Sequence, residues 1–390
     1  MQCALCGTGM IEFLDLGSQP LANKYPTADQ FHSEDFFPLK VFFCPACKNV
    51  QLGTIISRER MFEDYYYLSS VNPGLVRHFE ALAENLKDAR FVVDIGSNDG
   101  ILLKPLKERS VKTLGVEPSI NVSKIANDQG LETLTSFFNA DAVRQIVEKH
   151  GKPDVVVASS IFTHLEDPHT FIKDVKNVMT DDGSFIIEVE YIGNIIKNVQ
   201  FERFYLDRIF YYSLSSLDSL FRSHGMYLAD VEHIEPHGGS LRVTVKKGSG
   251  STSPRVTALL SEEMATLSAD RLATFGRTVA DSTTAFRDAL VTYKREGKRV
   301  AGYGSPARVA TITNFGKIGP ELVAFIVDDS PLKQGRFSPG LHIPIVPASH
   351  LDVHKPDVLV VFAHEYFDDI KKKTGGGYTY LFPIPPREVV

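Results

Sequence analysis

Phe91-Val92-Val93-Asp94-Ile95-Gly96-Ser97-Asn98-Asp99-Gly100 is the stretch on which the reading of this chain turns. An apolar run, Phe91 to Ile95, breaks at a turn with two glycines before a helical pattern begins. Where a strand hands over to a helix in this way, backbone N–H groups and the missing Cβ atoms let a ligand approach closely. The spacing Asp94-x-Gly96-x-x-x-Gly100 is not G-x-G-x-x-G, which disfavours a nicotinamide dinucleotide. Glu117, about twenty residues further on, ends the next apolar run, where a carboxylate accepts both hydroxyls of a ribose.

Outward from this loop, short apolar runs alternate with helical segments. Strands are expected at Thr113 to Glu117, Asp154 to Ala158 and Ser184 to Glu188, with Tyr227 to Glu235 and Ser240 to Lys246 closing the sheet. The alternation predicts a mostly parallel sheet covered on both faces. Upstream, Leu75, Phe79, Leu82 and Leu86 recur at helical spacing and predict a helix over about Pro73 to Ala89. Downstream, the polar run 247–254 reads as a linker. A long helical region, 256–297, follows it, and then buried strands at Arg299 to Gly304, Leu322 to Asp328 and Asp357 to Phe362 outline a second, smaller α/β unit. The expected domains are 1–60, 61–247 and 255–390.

A chain of 390 residues exceeds what one hydrophobic core usually serves, in keeping with this division. Its 43% hydrophobic and 23% charged residues are ordinary for a globular protein, and the formal net charge of −6 comes with no basic stripe, which argues against extended nucleic-acid binding. No apolar run approaches the roughly 18 residues that span a bilayer, and the N-terminus lacks a secretory pattern. A cytoplasmic monomer with no membrane or nucleic-acid partner is expected.

All four cysteines stand in two pairs, Cys3-x2-Cys6 and Cys44-x2-Cys47. Two such knuckles complete a tetrahedral thiolate shell for Zn²⁺, and four sulfurs leave no position open for a substrate. The metal is therefore expected to be structural, stapling a cap too small to hold itself together.

The loop followed by an acidic strand end resembles that of class I S-adenosylmethionine-dependent methyltransferases. The fold class implied is a Rossmann-like methyltransferase domain flanked by a small zinc-binding N-terminal domain and a second, smaller Rossmann-like C-terminal domain. Asp94, Gly96, Asn98, Asp99 and Glu117 are then the expected cofactor residues, with Ser159 at the end of the third strand. Phe138, beside Phe137, would cover the adenine.

Nearly the whole chain is similar to one group, the sugar C-methyltransferases that act on nucleotide-linked 4-keto-deoxysugars, the family of the tetronitrose 3-C-methyltransferase. The likeness lies in the cysteine cap, Tyr67-Leu68-Ser69-Ser70, the cofactor loop, Thr163-His164, His237-Gly238-Gly239, Gly302-Tyr303-Gly304-Ser305-Pro306-Ala307-Arg308 and Asp328 to Arg336. It implies S-adenosylmethionine as methyl donor, S-adenosylhomocysteine as product and a nucleotide-diphosphate sugar as substrate. In such enzymes a base removes the proton next to the C4 ketone and the enediolate takes up the methyl.

Family members commonly carry Tyr-x-Glu-His, with the histidine as base; here the run is Tyr205-Leu206-Asp207-Arg208. Arginine stays protonated at neutral pH, so Arg208 takes up no proton. Three readings follow. Another group, His164 or one of Tyr65, Tyr66 and Tyr67, is the base while Arg208 holds the enolate oxygen or a substrate carboxylate; or the methyl goes to oxygen; or the fold binds the cofactor and catalyses a different sugar reaction. The bland reading of Asp207 and Arg208 is a surface ion pair. Tyr205, Asp207, Arg208, His164 and Tyr67 are the expected catalytic residues. Glu188 and His237 are expected at the sugar, Arg308, Lys333 and Arg336 at the diphosphate, and Tyr303 and Asn314 at the nucleoside.

Overall fold

The computed structural model describes residues 1–57 and 68–389, except the side chain of His237. Tyr65, Tyr66 and Tyr67 lie outside the described residues. The strands form three sheets.

The run from Phe91 builds the central sheet. Its strands are β4 (Phe91–Ile95), β5 (Lys112–Val116), β6 (Thr133–Leu134), β7 (Val155–Ser159), β8 (Ser184–Glu190), β10 (Met226–Ile234) and β11 (Ser240–Lys247), in the order β10-β11-β8-β7-β4-β5-β6. β4 to β8 run parallel, and β10 and β11 close the edge antiparallel. Every residue of β4 is buried, Asp94 together with its apolar neighbours. Phe79 and Leu82 of the helix Pro73–Asn85 pack on one face with Val92 and Val157, and Phe162, Phe171, Phe185 and Phe221 fill the other. This is the class I methyltransferase fold.

The N-terminal sheet is antiparallel and joins β1 (Ile11–Pro20), β2 (Phe36–Phe43) and β3 (Val50–Leu52) to β9 (Phe210–Tyr211). The fourth strand comes from the middle of the chain, directly after Arg208. Among the described residues the cap has no core of its own: Cys3, Leu5, Cys44 and Cys47 pack into the core of the central sheet, whereas Leu14, Leu16, Val41 and Phe43 share a core with Phe275, Val279 and Val300.

The third sheet, order β14-β13-β12-β15-β16-β17, consists of β12 (Val300–Tyr303), β13 (Ile326–Val327), β14 (Ile345–Val346), β15 (Val358–Val361), β16 (Thr379–Phe382) and β17 (Arg387–Val389). Only β17 is antiparallel. The helical region read over 256–297 is two helices, Pro254–Thr266 and Ala269–Arg295. They divide at Ser268, whose extended backbone and hydroxyl, accepting from Arg271 N at 3.2 Å, cap the second. The first packs back on the central sheet: Val256 and Leu259 join its core, and the buried Glu263 accepts from the N-terminal amides of Leu214 and Ser215, each at 2.7 Å. Among the described residues no helix is long and apolar enough to cross a membrane.

Candidate cofactor, metal and substrate sites

The cysteine turns are two copies of one geometry. Gly7 N donates to Cys3 O at 2.8 Å, Lys48 N donates to Cys44 O at 2.9 Å, and both residues have positive φ. The sulfurs of Cys3 and Cys47 lie 3.6 Å apart and those of Cys6 and Cys44 3.5 Å, with all four within 4.8 Å of one another. A tetrahedron with Zn–S bonds of about 2.3 Å has edges of about 3.8 Å, so the four sulfurs fit Zn²⁺. Asn49 Nδ2, 3.5 Å from Cys3 Sγ, steadies the thiolate.

The cofactor loop sits at the carboxyl ends of β4 and β5. Gly96 has φ +73°, and a Cβ there would lie 2.5 Å from Ile161 Cγ2, so neither the turn nor the space admits a larger residue. Glu117 fastens the loop to its neighbour: one oxygen accepts from Asn98 N at 3.1 Å and the other from Ser119 N at 2.9 Å. The stretch after the undescribed segment folds over the loop, with Ser69 N donating to Asn98 Oδ1 at 2.9 Å and Ser70 Oγ to Asp99 Oδ2 at 2.5 Å. Among the described residues, Ser97 Oγ, Asp99 Oδ1 and Ser159 Oγ are buried without a hydrogen-bond partner. Orphaned polar atoms around a strand-to-helix turn suit a polar ligand such as S-adenosylmethionine. Burial, with Glu188 and Glu117 nearby, raises the Asp94 carboxyl well above its ordinary range. Phe138 turns inward, its ring 5.2 Å from that of Phe171, and Phe137 is the more exposed of the pair.

Glu188 was expected at a sugar hydroxyl, but its oxygens are already engaged: His78 Nε2 lies 2.9 and 3.0 Å from them and Arg242 Nε donates at 2.8 Å. Burial alone would raise its pKa, and the His78 and Arg242 contacts outweigh it. Glu190, two residues on and on the same face of β8, was missed by sequence reasoning, although the period of a strand pointed to it.

Arg208 Nη1 is 2.5 Å from Glu190 Oε1, with the guanidinium 4.8 Å from the Tyr205 ring centroid. Both partners are buried, which overturns the surface-pair reading of Arg208. Asp207 points elsewhere, with Oδ2 accepting from Asn23 Nδ2 at 2.6 Å and Oδ1 buried with no partner among the described residues. Burial raises its pKa against the pull of Asn23 and Arg208. The backbone carbonyl of Asp207 meets His164 Nδ1. A ring nitrogen beside a carbonyl carries the proton, which in the neutral ring leaves the lone pair on Nε2.

A line of ions runs on from this strip to the third sheet, with Arg203 and Arg308 buried and Glu365 partly open to solvent. Arg203 lies 3.4 Å from Glu190 and 2.9 Å from Glu365. Arg308 makes a forked pair with Glu365, its Nη1 donating at 2.6 Å. Burial opposes ionisation of Glu365, but Arg308 brings its pKa down to about 2, while burial and the charge of Arg308 depress His364 to about 4. The Gly238–Gly239 turn closes over this line: a Cβ on Gly238, φ +76°, would lie 2.1 Å from Arg203 Nη2.

The third sheet repeats the cofactor-loop arrangement. Ser305 follows β12 as Asn98 follows β4, and Asp328 Oδ2, at the end of β13, accepts from Ser305 N at 2.7 Å. Lys333 Nζ donates to Ser305 O at 2.8 Å and so stands at this loop. The other expected substrate residues are differently placed. Arg308 faces Glu365, Arg336 donates to Tyr25 O at 3.0 Å, Tyr303 donates to Asp329 at 3.1 Å, and Asn314 Nδ2 is shared by the carbonyls of Ala310 and Pro339. Arg308 and Asn314 are held by the protein itself.

Known proteins resemble the chain along its length. Family descriptions match residues 3–62 as "Putative zinc binding domain", 67–231 as "Methyltransferase domain" and 235–385 as "C-methyltransferase C-terminal domain". The C-methyltransferase NovU of Streptomyces niveus is 31% identical over 405 aligned residues, which take in 100% of this chain and 96% of that protein. The ubiquinone biosynthesis O-methyltransferase of Maricaulis maris is 25% identical over 32% of this chain and 52% of its own length. The solved magnesium protoporphyrin IX methyltransferase of Synechocystis, with bound S-adenosylhomocysteine, covers 49% of this chain and 92% of its own at 14% identity and a TM-score of 0.36, a likeness too weak to build on.

Proposed function

Because the chain belongs to the family of S-adenosylmethionine-dependent C-methyltransferases with an N-terminal zinc-binding domain, we propose that it methylates a carbon next to the ketone of a nucleotide-linked 4-keto-deoxysugar. The observation that carries this reading is the paired cradle: Glu117 holds Asn98 in the cofactor loop, and Asp328 holds Ser305 in a second loop of the same design. Two nucleoside-bearing ligands call for two such loops, one for the cofactor and one for the sugar nucleotide.

S-adenosylmethionine supplies an electrophilic methyl on a positively charged sulfur. His164 is the base in this reading. With Nδ1–H donating to the Asp207 carbonyl, Nε2 takes the proton from the carbon beside the ketone, and the C–H electron pair moves into the enediolate. Arg208 is fixed by Glu190 and the Tyr205 ring and brings further N–H donors to the enediolate oxygen, a permanent cation where negative charge develops. Lys333, held at the Ser305 loop, is the cation for the diphosphate in this reading.

Incubation with S-adenosylmethionine and a dTDP-4-keto-6-deoxysugar, followed by mass measurement, tests the reading. A gain of one methylene unit with release of S-adenosylhomocysteine is expected. No turnover across several nucleotide sugars contradicts it.

A further inference from the structure

The zinc-binding cap sends a strap into the junction of the other two sheets. After β1 the chain passes Asn23, Tyr25 and Pro26 before it turns into β2. Asn23 Nδ2 donates to Asp207 Oδ2 at 2.6 Å. Two residues later, Tyr25 Oη donates to Ser305 O at 2.6 Å, the same carbonyl that Lys333 Nζ reaches at 2.8 Å, and the Lys333 ammonium lies 5.2 Å from the Tyr25 ring centroid. The strap is anchored beyond these contacts: Phe337 N donates to Pro26 O at 3.0 Å, Gly340 N donates to Glu34 Oε1 at 3.0 Å, and the Phe31 and His342 rings stack at 3.7 Å.

Two features set these contacts apart from interdomain packing. The apolar contact of the cap with the long helix and the third sheet is made elsewhere, by Leu14, Leu16, Val41 and Phe43, so cohesion does not depend on Asn23, which is exposed. The polar contacts also end on the two loops the reaction needs. Asp207 has one oxygen held by Asn23 while the other is buried without a partner among the described residues, the disposition of a carboxylate kept for a ligand hydroxyl. Tyr25 remains a phenol: burial raises its pKa and Asp328, Asp207 and Tyr205 add to the effect, so it donates to Ser305 throughout the neutral range.

We propose that Asn23 and Tyr25 are positioning residues of the methyl-transfer site, contributed by the zinc-binding cap: Asn23 presents Asp207 to the sugar ring and Tyr25 sets the Ser305 loop for the nucleotide, so one strap fixes the distance between the two ends of the substrate. This rests on the nucleotide-sugar reading for the identity of the ligand and on geometry for the coupling. The cap thereby acts as a spacer as well as a staple.

The test uses the full chain with Asn23→Ala and Tyr25→Phe, each read in two ways. Hydrogen exchange followed by mass spectrometry is expected to rise at residues 204–210 for Asn23→Ala and at 303–309 for Tyr25→Phe, with the β1–β2 pairing unchanged. In steady-state assays with a dTDP-4-keto-6-deoxysugar, Tyr25→Phe is expected to raise the KM for the sugar nucleotide by about tenfold, the worth of one lost hydrogen bond, and to leave the KM for S-adenosylmethionine unchanged. Asn23→Ala is expected to lower kcat with little change in either KM, and Asn23→Gln, which keeps the amide donor, to recover part of it. Unaltered exchange in both segments, or equal losses in all kinetic constants alongside a lowered melting temperature, overturns the proposal. A wild-type chain that methylates no nucleotide sugar overturns the substrate reading instead, and the exchange result then decides the coupling alone.

Discussion

Arg208 and Glu190 form a buried ion pair, Nη1 to Oε1 2.5 Å, at the end of the strand that also carries the His78 partner Glu188. Burial disfavours the charge on Arg208 and Glu190 restores it, so the guanidinium stays ionised throughout any working pH. The position at which the family resemblance places a proton acceptor is thus occupied by a fixed cation.

Glu190→Gln leaves the buried Arg208 without its carboxylate partner, while Arg203 keeps Glu365. Removal of one partner of a buried pair costs about 3–5 kcal/mol. Urea unfolding of Glu190→Gln should show a loss of that order, and Arg208→Met in the same chain should recover much of it. Equal stability of Glu190→Gln and wild type would place the pair in solvent.

His164→Asn keeps a donor for the Asp207 carbonyl and removes the basic nitrogen. Loss of a general base typically costs about 10²- to 10⁴-fold in rate. We expect kcat to fall within that range while calorimetric affinity for S-adenosylmethionine stays that of wild type. A fall in cofactor affinity to match would assign His164 to binding instead.

The Asp94 carboxyl is raised by burial and by the Glu188 and Glu117 charges. Below about pH 3.9 it is protonated in both the folded and unfolded chain and costs nothing. As pH rises the unfolded chain ionises first, so the folded state loses stability until the pH passes the folded value. A cationic ligand beside the carboxylate offsets that loss. The thermal shift given by S-adenosylmethionine should therefore grow as the pH rises above the ordinary carboxylate range, and that given by the neutral-sulfur product should change less. Asp94→Asn should flatten the dependence.

The four sulfurs predict tightly bound zinc in a single site per chain, released together with protons taken up by the thiolates. Chelation should lower the unfolding midpoint and increase exchange at β3 and β9, since the Cys44–Cys47 knuckle leads straight into β3, which pairs with β9. Metal analysis of Cys44→Ser should show the site lost. Full zinc content in that variant would contradict a four-thiolate shell.

Much of the central sheet was legible because its signals are local: the β4 run, the Gly96 turn and the Glu117 strand end all fall within a few turns of chain. The cysteine quartet was legible for the same reason, through two identical knuckles. What escaped was long-range. That β9 would leave the Tyr205–Arg208 strip to complete the cap sheet, that the helix from Pro254 would pack back on the central core, and that Arg308 would be taken by Glu365 depend on contacts between segments far apart in sequence, which no spacing encodes. Glu188 shows a nearer limit: a strand-end carboxylate was visible, but His78 and Arg242, which claim it, come from other elements.

Transfer to carbon in a nucleotide-linked keto-sugar is tested most directly by following an isotope-labelled methyl group from S-adenosylmethionine into the product and locating it by NMR. The label should appear on the ring carbon next to the ketone, with the proton of that carbon lost. A label on a sugar oxygen, or none on the sugar at all, would contradict the account.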